Sequence, residues 1–481
     1  MSPRLHPLTE PQKTFKERIM AIHGIPTGVH RYDKELVCEG YNLFSPYFRN
    51  ETHLINMEGE IVHTWKTDYF PGLFAHLMPN GDLVRGIRVP NQAVLFAGTT
   101  GGFERYDWDG NLLQRYIKND HETQQVLSHA FCPMPNGNTI VICLEKKSNE
   151  EAYAKGRIPG TLPEDGEWFE GKQHKGLFLD YLMEIDKDNN VVWEWHLWDH
   201  VGDAPDEFNL NYILPPAAHY FSTVDWVHFN AVDYDPIHDR VCMTCRNFGE
   251  FVIVDRKTGK LIYRWGNPST HLRGRKPGWL DDGDQQLFGP HCGTFINEGK
   301  HILIHDNGWF RPKGNRSRAL EVDIETGKIV WSYESHNPQN FTSPYQSSVQ
   351  RLPNGNTLIC STGSGQIFEV TPGPQPRVVW EFVCPWLQDG RTVNYLDDTD
   401  VLYSTTSHII KEGHMKNMIH RVYRYAKDYP AFQGKDLSHG VPIDPSIVRL
   451  WEMEPFKSGY ARAKQNPWPQ PIAYRENPET K

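Results

Sequence analysis

The 481-residue chain has no apolar stretch approaching the roughly 20 residues that a membrane-spanning helix needs. Residues 1–24 lack an apolar core of signal-peptide length, and Thr14–His23 reads instead as a short amphipathic helix. The sequence therefore predicts a cytoplasmic protein with no membrane partner. No long basic run is present and the formal net charge is −10, which argues against a nucleic-acid partner held by its phosphates. Heptads rich in Ala, Glu, Lys and Leu are missing, which excludes a coiled coil. Cysteine is sparse, at eight residues, mostly inside apolar strand patterns where a reduced thiol acts as a small hydrophobe. Cys242-Met-Thr-Cys245 has redox or metal spacing, but residues three apart on a strand point to opposite faces, so both read as core.

What the chain does have is turns, strands and aromatics: 39 glycines, 35 prolines and 15 tryptophans. Six times a short strand runs through a turn into a strand ending on an aromatic residue: Leu54 to Trp65, Asp107 to Tyr116, Met183 to Trp195, Val252 to Trp265, Leu320 to Tyr333 and Phe368 to Phe382. Asn-Gly, Asp-Gly and Thr-Gly between alternating apolar runs are hairpin signals, because glycine accepts the positive φ of tight turns. A second hairpin turns at Pro79-Asn-Gly81, Pro135-Asn-Gly137 or Pro353-Asn-Gly355, replaced in the third and fourth units by Asp235-Pro-Ile-His-Asp239 and Asn297-Glu-Gly299. Two hairpins make the four strands of a propeller blade, and six units fill the chain without space for a second core. The expected fold is all-β, a six-bladed β-propeller with a short N-terminal helix and long lid-like insertions. Its domain plan is an N-terminal extension over 1–40, the propeller over 41–425 and a C-terminal tail over 426–481 that packs on it. Trp65, Trp195, Trp265, Trp331 and Trp380 recur at one hairpin position and read as structural.

Histidine recurs where function is expected. His76, His129, His228 and His291 each lie in a strand that follows a crossover, and the first strand of a blade lines the axial channel. Four imidazoles from successive blades would form an inward-facing arc, and polar groups converging in a cleft usually bind or catalyse. His305 fits either the channel or a turn, while His408, His414 and His420 sit in an irregular polar stretch and read as a solvated loop. Long insertions at Ser148–Gly176, His196–Thr223 and Asn267–Gln286 are expected to roof one mouth. Aromatics near that mouth, among them Trp198, Tyr212, Tyr220, Phe221, Trp226, Trp279, Trp309 and Phe310, suit a small phenolic ligand.

Several motifs in order carry a family resemblance: Asp225-Trp-Val-His-Phe-Asn-Ala-Val-Asp-Tyr-Asp-Pro236, Trp193-Glu-Trp-His-Leu-Trp-Asp-His200, Tyr263-Arg-Trp-Gly-Asn-Pro268, Asp306-Asn-Gly308, Arg351-Leu-Pro-Asn-Gly-Asn-Thr357 and Arg421-Val-Tyr-Arg-Tyr425. Over about Gly40 to Leu437 the chain resembles the arylsulfotransferase family, in a branch without a secretion signal. The resemblance implies an axial funnel where histidines and an arginine move a sulfuryl group between phenols without a cofactor. Carried over by residue, it implies His228 and His291 as family histidines and Arg311 as the arginine; either His129 or His76 takes the nucleophile's role, or the scaffold is kept and the reaction has changed. Trp226, Asn230, Trp309 and Tyr345 are the expected substrate contacts. The family's histidine expected to become sulfated should lie on the fifth unit's inner strand, where Ser343-Pro-Tyr-Gln-Ser-Ser-Val349 has none. Two alternatives stay open. His76, His129, His228 and His291 could hold one transition metal ion, with Asp225 or Glu145 behind them, for oxidation, hydrolysis or lyase chemistry. The propeller could also be a non-catalytic binding module.

Overall fold

The computed structural model describes residues 25–47, 49–169, 171–212, 224–387, 392, 395–396 and 417–443. The expected N-terminal helix, the tail beyond 443, His408, His414, Tyr220 and Phe221 lie outside the described residues. Six antiparallel sheets form the blades of a β-propeller, and their inner strands neighbour one another around a closed ring. No helix among the described residues is long and apolar enough to cross a membrane.

The first blade joins both ends of the chain. Its inner strand is Ile419–Ala426, followed outward by Gly40–Pro46, Glu51–Ile55 and Glu60–Lys66. The second blade starts with Phe70–Leu77, the third with Gln125–Pro133, the fourth with Phe229–Asp235, the fifth with His291–Ile296 and the sixth with Ser348–Arg351. Residues 28–32, assigned to an extension from sequence, instead add a fifth strand to the outer edge of the sixth blade, pairing with Val378–Val383. The sequence repeat is offset from the blade by half. Each aromatic-ended hairpin forms the outer half of one blade, and the histidine strand after it opens the next.

The repeated tryptophans explain how blades are joined. Trp65 Nε1 donates to Asp107 O at 3.0 Å, and Trp195, Trp265 and Trp380 donate to Gly259, Gly327 and Met57 carbonyls at 2.9 Å. Each acceptor lies in the outer hairpin turn of the following blade, so every one of these indoles ties its blade to the next. Trp331 differs: its ring lies under the Arg351 guanidinium at 4.7 Å and its nitrogen has no hydrogen-bond partner. Trp380 is fully buried and joins the sixth blade to the first. Trp380→Phe keeps the ring and deletes the donor, leaving the Met57 carbonyl unpaired. An expected destabilisation of about 1–3 kcal/mol follows, measured by urea unfolding.

Strand order also sorts the loops. Successive antiparallel strands put the inner and outer hairpin turns on one face, and the crossovers and second-to-third-strand loops on the other. Every Pro-Asn-Gly turn falls on the first face, and all three long insertions fall on the second, where the inner strands begin. There the insertions interlock: Arg157 Nη1 donates to Leu210 O at 2.7 Å, and Asn267 Nδ2 to the Tyr212 hydroxyl at 2.8 Å.

Candidate active site

Near their starts, five inner strands kink. Leu73, His129, His228, Cys292 and Gln346 have φ values of 90°, 44°, 61°, 55° and 54°, and ladder registers shift beside the first four. A bulge re-aims the side chains around it, and left-handed backbone at non-glycine residues is strain that clusters at functional sites. The kink brings His129 and His228 together, their ring centroids 4.5 Å apart at 74°.

His228 is buried, with Nδ1 2.5 Å from Asp225 Oδ2. A carboxylate only accepts, so Nδ1 carries the hydrogen and Nε2 is the basic nitrogen. The loop holding Asp225 is clipped to neighbours: Trp226 N donates to Phe178 O at 3.3 Å, and Asn247 Nδ2 to Asp225 O at 2.8 Å. Behind the pair, Asp180 Oδ2 accepts the Phe229 amide at 2.9 Å. Burial and the nearby Asp225 charge hold the Asp180 carboxyl well above the usual carboxylate range.

His129 is also buried, with Nδ1 2.8 Å from Ser128 Oγ and its amide donating to Gly98 O at 2.7 Å. Residue 98 must be glycine: its φ is +89°, and a Cβ there would lie 1.9 Å from His129 Nε2. Burial, then the charges of His228, His291, His420 and Arg246, hold the His129 imidazole well below its ordinary value. His291 is equally buried but more committed. Its Nδ1 faces Asn307 Oδ1 at 2.7 Å and its Nε2 accepts from Gln346 N at 3.1 Å. Both nitrogens are thus engaged, Nδ1 by the fifth blade's own loop and Nε2 by the segment that opens the sixth blade.

His76 does not join this level. The last ladder pairs of the second and third inner strands are Leu77–Leu83 and Pro133–Thr139, so His76 corresponds to Cys132 and lies three residues nearer the turn face than His129. It stacks on Tyr423 at 4.4 Å, and burial drives its imidazole down to about 3. Arg311 is also elsewhere. Its guanidinium pairs with Asp306 at 2.6 Å and Asp282 at 3.1 Å and lies over Phe288 at 4.3 Å, tying the 267–286 insertion to the fifth blade. A cation beside the imidazoles is Arg246, a buried residue of the loop that follows Arg240–Cys245. Its charge reaches His129 and His291, Asp225 opposes it, and burial pushes it down to about 10.

The other expected residues divide. Trp226 is buried edge-on against Phe248 at 5.3 Å, and Asn230 donates from Nδ2 to Pro290 O at 2.8 Å. Trp309 and Tyr345 are half-buried on the loops flanking His291, whereas Trp279 is 73% exposed on the outside of its insertion. Glu145 forms ion pairs with His196 at 3.1 Å and Lys147 at 2.9 Å. His305 is buried against Phe341 at 5.7 Å on the second strand of its blade, and burial lowers it to about 4. All eight cysteines are free and buried, Cys242 and Cys245 included. No group of three or more His, Cys, Asp or Glu among the described residues could hold a metal ion. His420, read from sequence as a loop residue, is instead fully buried on the closing inner strand.

The architecture defines a six-bladed propeller in which His129 lies against the Asp225-backed His228 near the starts of two neighbouring inner strands, with the buried Arg246 close by. The sequence profile described as arylsulfotransferase (ASST) matches residues 167–428, more than half of the chain, and the chain belongs to that family. It is similar to the arylsulfate sulfotransferase AssT of Escherichia coli O6:H1, with 23% identity over 376 residues covering 66% of this chain and 58% of the relative. The match thus spans less than two thirds of that relative's length. Among solved structures, a protein of unknown function from Bacteroides caccae aligns at 12% identity over 80% of this chain and 98% of its own, with a TM-score of 0.43. A virginiamycin B lyase from Staphylococcus aureus aligns at 11% identity over 75% and 84%, with a TM-score of 0.37.

Proposed function

We propose that the protein moves a sulfuryl group from an aryl sulfate to a phenolic acceptor in this mouth. The observation that carries the reading is the Asp225–His228 pair set 4.5 Å from the His129 ring, with Arg246 beside them. The neutral His129 imidazole attacks sulfur as the bond between sulfur and the aryl ester oxygen breaks and the phenolate leaves. The acceptor phenol then attacks the same sulfur, the nitrogen–sulfur bond breaks, and the phenolic proton passes to His228 Nε2. Asp225 stabilises the imidazolium so formed. Arg246 holds the sulfuryl oxygens while negative charge builds on them, a preorganised contribution of about 3–4 kcal/mol at comparable sites.

The roles follow from proton affinity. An imidazole held neutral is always available as a nucleophile, and one backed by a carboxylate is the better proton acceptor. In the test, purified protein is given 4-nitrophenyl sulfate and a phenol. The expected result is nitrophenol release that depends on the acceptor. Without acceptor, intact-mass and peptide analysis should find one sulfuryl group on His129, absent in His129→Gln. An adduct on His228 would exchange the two roles. A stoichiometric transition metal lost on substitution of His228 or His291, with no aryl sulfate turnover, would favour the metal reading instead.

A further inference from the structure

The strand that closes the ring carries an imidazole that packing alone does not require. His420, the second residue of Ile419–Ala426, is completely buried, and neither of its ring nitrogens has a hydrogen-bond partner. Its carbonyl accepts from Thr362 Oγ1 at 3.1 Å, while both nitrogens of the side chain are unsatisfied. The ring stacks nearly parallel on Phe74 at 5.8 Å, a contact that phenylalanine or leucine would serve without burying two polar atoms.

Its surroundings are those of an anion site. The charge of His420 is felt at both His129 and His291, which puts it at the level of the site. Two guanidiniums flank it: Arg421, held by a bond to Asn230 O at 2.9 Å, and Arg88, held over the Tyr47 ring at 5.0 Å with a 2.7 Å bond to the Tyr47 hydroxyl. The neighbouring inner strand offers no imidazole in Ser343–Val349, and there the Gln346 amide is taken up by His291.

We propose that His420 is a sulfuryl-binding residue, donating the hydrogen of one ring nitrogen to a non-bridging oxygen of the bound sulfate ester. The closing strand thereby supplies the imidazole that the sixth blade lacks. This assignment rests on the sulfuryl-transfer reading above. The probes are inorganic sulfate, followed by calorimetry and by the ring ¹⁵N resonances of His420, and the KM for 4-nitrophenyl sulfate. His420→Phe keeps the stack on Phe74 and removes both nitrogens. It is expected to weaken sulfate binding and raise the donor KM at least tenfold, with the acceptor KM unchanged. His420→Gln, which restores an N–H, should recover most of the loss. A folded His420→Phe that binds sulfate like the unsubstituted protein overturns the proposal. If that variant fails to fold, His420 resonances that sulfate leaves unshifted in the unsubstituted protein overturn it equally. Sulfate bound through His420 without turnover of any aryl sulfate would keep this assignment and sink the transfer reading instead.

Discussion

His228→Asn lowers kcat/KM for aryl-sulfate transfer by about a thousandfold, the scale of a lost general base. The expected loss is large because Nε2 of this ring is the basic nitrogen only while Asp225 holds the hydrogen on Nδ1, across 2.5 Å. Asp225→Asn is therefore expected to fall nearly as far. An amide can donate to Nδ1 and turn the ring to the opposite tautomer, which carries its hydrogen where the lone pair is needed. Initial rates with 4-nitrophenyl sulfate over a series of acceptors check both variants. Near-UV circular dichroism shows whether the strained backbone at His228, φ 61°, survives. Rates within threefold of the parent in both variants would remove His228 from the mechanism.

Acid should unfold this protein early. Burial holds His305 near 4 and keeps His129, His291 and His420 well below their ordinary values, against 6.5 for exposed histidine. Between about 6.5 and the folded value, the unfolded chain binds a proton that the folded chain refuses. Stability therefore falls as pH drops through that window, by up to about 1.4 kcal/mol per pH unit for each such histidine. Three buried carboxyls act the other way: Asp233, raised to about 6, with Asp180 and Glu250 also raised, take up protons in the folded state and offset part of the loss. The expected net result is a Tm several degrees lower at pH 5 than at pH 7, a shift of about 2–4 °C for each kcal/mol. His305→Leu should flatten the slope. A Tm unchanged between the two pH values would show that these rings find protons or partners in the folded state.

Which features could be read from sequence follows from how local their causes are. Hairpin turns and the indoles that staple blades are set within a few residues, so six repeats and five structural tryptophans stand out in the chain. The histidines before the turns stand out too, but their level depends on a bulge of variable length, so His76 lies three residues nearer the turn face than His129. Arg311 follows an Asp-Asn-Gly turn that resembles a family motif, yet its guanidinium is captured by Asp306 of that same turn and by Asp282 from a distant insertion. Arg246 left one overlooked signal, a lone cation between the apolar run ending at Cys245 and the Phe248-Gly249 turn. His420 left less. Met418-Ile-His-Arg-Val-Tyr-Arg-Tyr425 becomes an inner strand only by pairing with Gly40–Pro46, a contact across nearly the whole chain.

That long-range pairing has a consequence for synthesis on the ribosome. Gly40–Pro46 leaves the exit tunnel early, yet its partner emerges only after every other inner strand has been made. Until then the first blade presents a bare strand edge, the kind of surface that recruits a wrong partner. Release of the nascent chain before residue 419 would leave that edge open and remove His420 and Arg421 in one event. A prematurely terminated product would then be sticky and inert together, and cellular quality control would have an exposed edge by which to recognise it.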